Sequence, residues 1–307
     1  MDIFIQQLIN GITLGAVYAV VALGYTMVYG IIQLINFAHG ELVMIGAMVA
    51  FTLIGVLAPL GLPVLVVALM ATLCAMLVCA ALGFAMERLA YRPLRGAPRL
   101  APLISAIGVS IILQHLALLV WSRNPLSFPQ IIKAESYAIG GASITNIQIG
   151  ILLISIAMMV GLAWLVYRTR MGTAMRATAQ NPNMAALLGV DANRVIAMTF
   201  ILGAALAAVA GVMVGSYYGI AQYTMGSALG LKAFCAAVLG GIGNIPGAML
   251  GGVLLGVVEA LGAGYIGDFT NNVFGSNYQD VFAFIVLILV LVFRPSGILG
   301  ERVGDRA

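Results

Sequence analysis

The sequence predicts an all-α, polytopic membrane protein with about eight or nine transmembrane segments. Three observations predict it. Of the 307 residues, 63% are hydrophobic and 8% charged, with mean hydropathy +1.11, so a water-facing surface would have almost nothing polar to show. Nine apolar runs approach the roughly 20 residues that cross a bilayer as helix. No alternating barrel pattern accompanies them, and lipid-exposed backbone must satisfy its own hydrogen bonds, which leaves helices as the default.

The runs fall at about 8–32, 41–59, 62–86, 101–121, 147–167, 195–219, 228–243, 247–266 and 279–293. The opening MDIFIQQLIN lacks a basic region and a small-residue cleavage site, so it reads as an uncleaved first span rather than a signal peptide. The run at 228–243 is short for a span, and glycines and Pro246 separate it from the next. That is compatible with a tilted, broken or re-entrant helix. The whole chain, 1–307, reads as one transmembrane domain with no room for a folded soluble module. Cys74, Cys79 and Cys235 lie inside apolar runs without metal or redox spacing and read as small core residues.

Charge orients the set. Arg88, Arg92, Arg95 and Arg99 fill one loop; Arg168, Arg170, Arg176 and Arg194 another; Arg294, Arg302 and Arg306 the tail, so 11 of the 14 basic residues occupy three segments. If all nine runs cross, these segments share one face, which the positive-inside rule names cytoplasmic. The N-terminus is then periplasmic and the C-terminus cytoplasmic. The opposite face receives only Arg123 and Lys133, while Lys232 stays within a run. The net charge of +4 is therefore a topology signal, and no nucleic-acid partner is expected.

A loose internal echo links GITLGAVYAVVALGYTMVYG (11–30) with AMTFILGAALAAVAGVMVGSYYG (197–219). Both are small-residue-rich helices followed by a polar, glycine-containing break, which suggests an inverted repeat with a pathway at its interface. Within the 168–194 loop, Asn181 can cap a helix, Pro182 suits its first position, and Gly189 can take the left-handed stop. That spells about two turns of helix outside the membrane, either an ordinary connector or a peg that seats in a motor protein.

QLINFAHGELVMIGA, 33–47, places Gln33, Asn36, His39 and Glu41 between two apolar runs. A helix break there survives only buried in protein or beside water. The cluster either lines or gates the inner end of a pathway or caps an interfacial turn, with Asn36 as cap and Gly40 as hinge. Lys232 lies near the outer end of its run, and Glu259 about 18 Å up its helix at 1.5 Å per residue. Groups at such depth pair or face a cavity: the two form a structural pair, touch solute or binding protein, or snorkel. His115 reads as an interhelical hydrogen bonder. There is no G-x-x-x-x-G-K-[ST] phosphate loop, and His39 and His115, the only histidines, have no nucleophile arranged around them. Enzyme activity in this chain alone is not expected.

GITLGAVYAVVALGYTMVYGIIQLINFAHGELVMIGA, YRPLRGAPRLAPLISAIGVSIILQ, RTRMGTAMRATAQNPNMAALLGVDANRV and LKAFCAAVLGGIGNIPGAMLGGVLLGVVEALGAGYI together resemble the permeases of high-affinity branched-chain amino-acid ABC importers, essentially end to end. The resemblance implies the ABC importer permease fold in a bacterial inner membrane, and transport of leucine, isoleucine and valine. It implies a second, related permease, two cytoplasmic ATPase subunits that bind ATP and Mg, and a periplasmic binding protein; this chain itself would hold no cofactor and no metal. It places the coupling helix at 178–190, with Ala185, Ala186 and Gly189 at matching positions. Met184 stands where an acidic residue often precedes those alanines in the wider ABC motif. NFAHGE recurs in the family, which favours the pathway reading of the elbow. The competing class is an ion-coupled secondary transporter or channel, which would need several buried carboxylates in a relay, whereas Glu259 is the only acid well inside a run. A non-transporting scaffold would leave the extramembrane helix and the broken segments unexplained.

Overall fold

The computed structural model describes residues 2–98, 100–130, 134–139, 141–269 and 278–300. Arg99, Lys133, Arg302 and Arg306, used in the charge count, lie outside them. Each predicted apolar run is a helix: α1 (Asp2–Ile32), α2 (His39–Leu57), α3 (Val64–Met86), α4 (Leu100–Val120), α5 (Asn146–Arg168), α8 (Ala192–Tyr218), α9 (Met225–Gly240), α10 (Ile245–Phe269) and α11 (Gln279–Phe293). Among the described residues seven are long and apolar enough to cross a bilayer, while Met225–Gly240 and Ala283–Phe293 are shorter apolar helices. The short 228–243 run is a helix of 16 residues ended by Gly241 (φ +106°).

Two further helices, α6 (Arg170–Gln180) and α7 (Pro182–Leu187), fill the segment in which the sequence predicts only one. Thr169 caps α6 by accepting from the Gly172 amide at 3.1 Å, and Gly172, Met175 and Thr178 form its buried stripe. That stripe holds one apolar side chain, too few to register as a hydrophobic period.

Close helix packing comes from small residues. Gly11 and Gly15 of α1 face Gly252 and Gly256 of α10, and a Cβ on Gly15 would stand 2.7 Å from the Val253 Cα. Two G-x-x-x-G faces therefore meet backbone to backbone, the contact lipid-embedded helices use when hydrophobicity cannot drive them together. Helices α1 and α8, the pair joined by the internal echo, are mostly buried, whereas α3, α4 and α5 turn most of their surface outward. Large exposed side chains such as Leu73, Ile112, Leu119 and Ile156 give these outer helices their apolar coat.

The two ends of the bundle differ. At one end β2 (Ser136–Ile139) and β3 (Ala142–Thr145) form an antiparallel hairpin. The Gln6 side chain accepts from the Ser143 amide at 2.8 Å, and Gln148 Nε2 donates to Asn10 at 3.0 Å, so this end holds the start of α1. Beside it β1 (Leu126–Ser127) pairs with β4 (Ile220–Ala221). At the opposite end Arg95 ion-pairs with Glu87 and donates to Asn193 at 2.7 Å, while Arg176 donates to the Val166 carbonyl. The Leu299 amide donates to the Gly240 carbonyl at 2.9 Å there. All three arginine-rich segments, as far as they are described, gather at that second end.

Candidate functional site

The site grows from two helix breaks. After α1, Gln33 takes φ +54°, the one positive φ outside glycine among the described residues, and sends the chain back into the bundle. The six-residue link 33–38, which could reach up to about 20 Å if fully extended, ends in a turn at Phe37 and Ala38 and lifts the start of α2 into the bundle. His39 packs against Gly24 and Gly203, which lie eight residues from the end of α1 and eleven from the start of α8. At 1.5 Å per residue these positions are about 12 and 16 Å deep. The sequence placed Gln33, Asn36, His39 and Glu41 near the end of the first span and the start of the second; His39 and Glu41 do open α2 and Gln33 is exposed just past α1, while Asn36, His39 and Glu41 are buried. This burial has a conformational cause: Gln33 turns the link back toward the bundle, and the link closes in a turn at Asn36, whose side chain accepts from the Ala38 amide.

The second break follows α8, where Gly219 (φ +67°) closes the helix and β4 leads to the short α9. Gly40, in the first turn of α2, packs on Gly226 and Gly230 of α9 with backbones in contact. Two helices thus start within the bundle and meet at their N-terminal turns. Their unsatisfied N–H groups make such ends electropositive, and Glu41 places a carboxylate between them.

Each polar side chain here has a distinct setting. Asn36 Oδ1 accepts from the Ala38 amide at 3.1 Å and from the Tyr91 hydroxyl at 2.9 Å, with Tyr91 delivered by a π-helical turn at Glu87–Tyr91. His39 lies edge-on to Tyr25, ring centroids 4.7 Å apart. The Val21 carbonyl is beside its ring, but neither ring nitrogen reaches hydrogen-bond geometry. Glu41 is 1% exposed. Its Oε1 accepts from Ser110 Oγ at 3.0 Å and Gln114 Nε2 at 2.8 Å, and its Oε2 has no hydrogen-bond partner among the described residues. Glu41 borders a cavity of about 250 Å³ walled by Phe37, Ile107, Leu231 and Phe234. Ser110 and Gln114 were not singled out in the sequence; their i, i+4 spacing on an apolar helix was the available signal. His115, expected to bridge helices, contacts its own helix instead, Nδ1 lying 2.9 Å from the Ile111 carbonyl, because Gln114 occupies the inward-facing position.

A second polar centre ties four helices. Lys232 Nζ donates to Glu259 Oε1 at 2.7 Å, and the Tyr18 hydroxyl donates to Glu259 Oε2 at 2.9 Å. Asp280 Oδ1 is also 2.7 Å from Lys232 Nζ, an ion-pair distance without hydrogen-bond geometry. Of the sequence alternatives for Lys232 and Glu259, the geometry shows the pair, enlarged by a third charge at the start of α11. Glu259 is also not the only buried acid, since Glu41 and Glu87 are each 1% exposed. Burial of Glu41 follows from the depth of the elbow, and that of Glu87 from its Arg95 partner. No direct hydrogen bond among the described residues joins Glu41 to Glu259.

Outside the bundle, Asn181 Oδ1 accepts from the Asn183 and Met184 amides at 3.1 and 3.0 Å, capping α7. Pro182 takes its first position, and Gly189 takes φ +84° just beyond its end. Ala185 packs inward at 2% exposed, while Ala186 faces out beside Met184, Leu187 and Leu188, the leucines more than 80% exposed. A short capped helix thus presents an open apolar surface at this end of the bundle.

A multi-pass bundle with interrupted helices meeting inside it, polar groups at their junction and a short peg-like helix at one end defines a membrane transport protein of the permease class. Residues 7–291 match the family described as branched-chain amino acid transport system / permease component, and the chain belongs to that family. It is 50% identical over 303 residues to the high-affinity branched-chain amino acid transport system permease protein BraD of Pseudomonas aeruginosa, covering 97% of this chain and 96% of that protein. It is 46% identical over 305 residues to the permease protein LivH of Escherichia coli K12, with the same coverage. A probable branched-chain amino acid transport permease of Methanocaldococcus jannaschii is 30% identical over 295 residues, covering 91% of this chain and 87% of that one.

Proposed function

We propose that this chain is one of two permease subunits of an ATP-driven importer, passing leucine, isoleucine and valine delivered by a periplasmic binding protein. The observation that carries this reading is α7: a short helix, capped at both ends, presenting Ala186, Met184, Leu187 and Leu188 at the arginine-rich end of the bundle. A motor protein can grip such a peg and pass its movement into α8 through the three-residue connection that follows Leu188. The named relatives supply the solute class. ATP and Mg belong to two cytoplasmic ATPase subunits, and this chain does no hydrolysis of its own. The second permease is a related chain, the membrane is the bacterial inner membrane, and the arginine-rich end faces the cytoplasm, with the N-terminus periplasmic.

Purification of the assembly from native membrane tests the partners. Ala186→Arg puts a long cation on the contact surface, and Gly189→Val forces a β-branched residue into a left-handed backbone, costing about 1–2 kcal/mol locally. Both variants insert and express, yet lose the ATPase on purification and lose uptake. Normal leucine uptake by well-expressed Ala186→Arg protein refutes the motor-driven reading.

A further inference from the structure

From the junction of α2 and α9 we infer a solute subsite in which Glu41 takes the ammonium group of a small aliphatic amine and the apolar walls take its hydrocarbon tail. The inference rests on the importer reading and adds to it a recognition group and a place. Glu41 Oε1 is held by Ser110 and Gln114, which fixes the carboxylate. Oε2 is buried beside Gly226 without a hydrogen-bond partner among the described residues, and Glu41 is part of the cavity wall. A desolvated carboxylate oxygen left this way is costly, and an N–H donor from a cationic ligand repairs it with a charge-assisted bond.

Volume and lining narrow the ligand. At about 30 Å³ per water in the liquid, 250 Å³ holds roughly eight water-sized groups, the scale of one small amino acid. Phe37, Ile107, Leu231 and Phe234 offer apolar walls, and no lysine or arginine lines the cavity. A carboxylate on the ligand therefore points to the open side, where Ser227 and Leu231 of α9 are exposed. The subsite reads charge at the amine and shape at the tail, and leaves the rest of the solute to whatever covers α9. Two packed glycines make the geometry specific: Gly226 and Gly230 allow α9 to approach Gly40 so closely that any side chain there would displace the Glu41 carboxylate or the α2 backbone.

The test uses the whole importer in nanodiscs, with a cysteine at Ile107, a half-exposed wall position. Alkylation of that thiol is followed by mass spectrometry of its peptide. Leucine, and isoamylamine, which keeps the ammonium and loses the carboxylate, each slow alkylation at least fivefold. The carboxylate 4-methylpentanoate, which lacks the ammonium, does not. Adding Glu41→Gln removes the protection by leucine. Equal protection by 4-methylpentanoate, protection unaffected by Glu41→Gln, or a thiol already blocked in the solute-free complex by the neighbouring permease overturns the inference. The 4-methylpentanoate arm needs no change at Glu41 and decides the matter even where Glu41→Gln fails to assemble. Parallel leucine uptake separates the two levels: uptake without protection removes the subsite and leaves the importer, whereas absence of uptake by the parent protein removes the importer reading itself.

Discussion

Replacing Lys232 by methionine is expected to be the most damaging single change in the charged centre, and the order of effects follows from who remains behind. Lys232→Met keeps the length of the side chain but leaves Glu259, 1% exposed, with the Tyr18 hydroxyl as its one remaining hydrogen-bond partner among the described residues. Breaking a buried pair from one side costs about 3–5 kcal/mol, or roughly a hundredfold to a few thousandfold in the folding equilibrium at 1.4 kcal/mol per tenfold. Glu259→Gln leaves Lys232 still 2.7 Å from Asp280, and the amide oxygen can still accept from Tyr18, so the loss is about 1.5–3 kcal/mol, one charge-assisted hydrogen bond. Asp280→Asn costs less, about 0–1 kcal/mol, because its side chain is 47% exposed and water screens it. Joining Lys232→Met to Glu259→Gln removes the stranded charge and recovers up to about 3 kcal/mol relative to the sum of the singles. Unfolding by SDS titration in mixed micelles, followed by the fluorescence of Trp121 and Trp164, measures all four variants. Additive losses in the double variant, or a Glu259→Gln protein less stable than Lys232→Met, refute the reasoning.

Topology and packing give two further expectations. A cysteine at Ser136, in the hairpin, reacts with an impermeant thiol reagent from outside intact cells and one at Thr173 in α6 does not; the reverse labelling pattern overturns the orientation. Gly15→Leu drives a side chain into the α10 backbone 2.7 Å away and reduces folded yield to background, whereas Gly55→Leu, which meets nothing within 4 Å, leaves it unchanged; similar yields for the two refute the close-packed α1–α10 interface.

Much of the fold was legible because the bilayer makes strict demands. A stretch such as 147–167 has to become a helix once it is in lipid, and it does, from Asn146 to Arg168. The ends of α7 were equally legible, since Asn181, Pro182 and Gly189 act on backbone within three residues of themselves. Helix α6 was not, because its stability comes from a stripe pressed against the bundle rather than from its own composition. Asp280 escaped notice as a charge at the edge of a run, and only the folding of α11 against α9 brings it to Lys232.

The sequence by itself determined that nine segments are helical and apolar, where the extramembrane helix begins and stops, and that Gln33 to Glu41 interrupt the bundle. These properties depend on solvent and on neighbours a few residues away. Only the tertiary structure decided the depth of that interruption. One positive φ at Gln33 reverses the chain, and contact between Gly40 and the glycines of α9 fixes where α2 begins. The second acts between segments almost 200 residues apart, so hydropathy records that Glu41 lies near a break but not that it borders a cavity against α9.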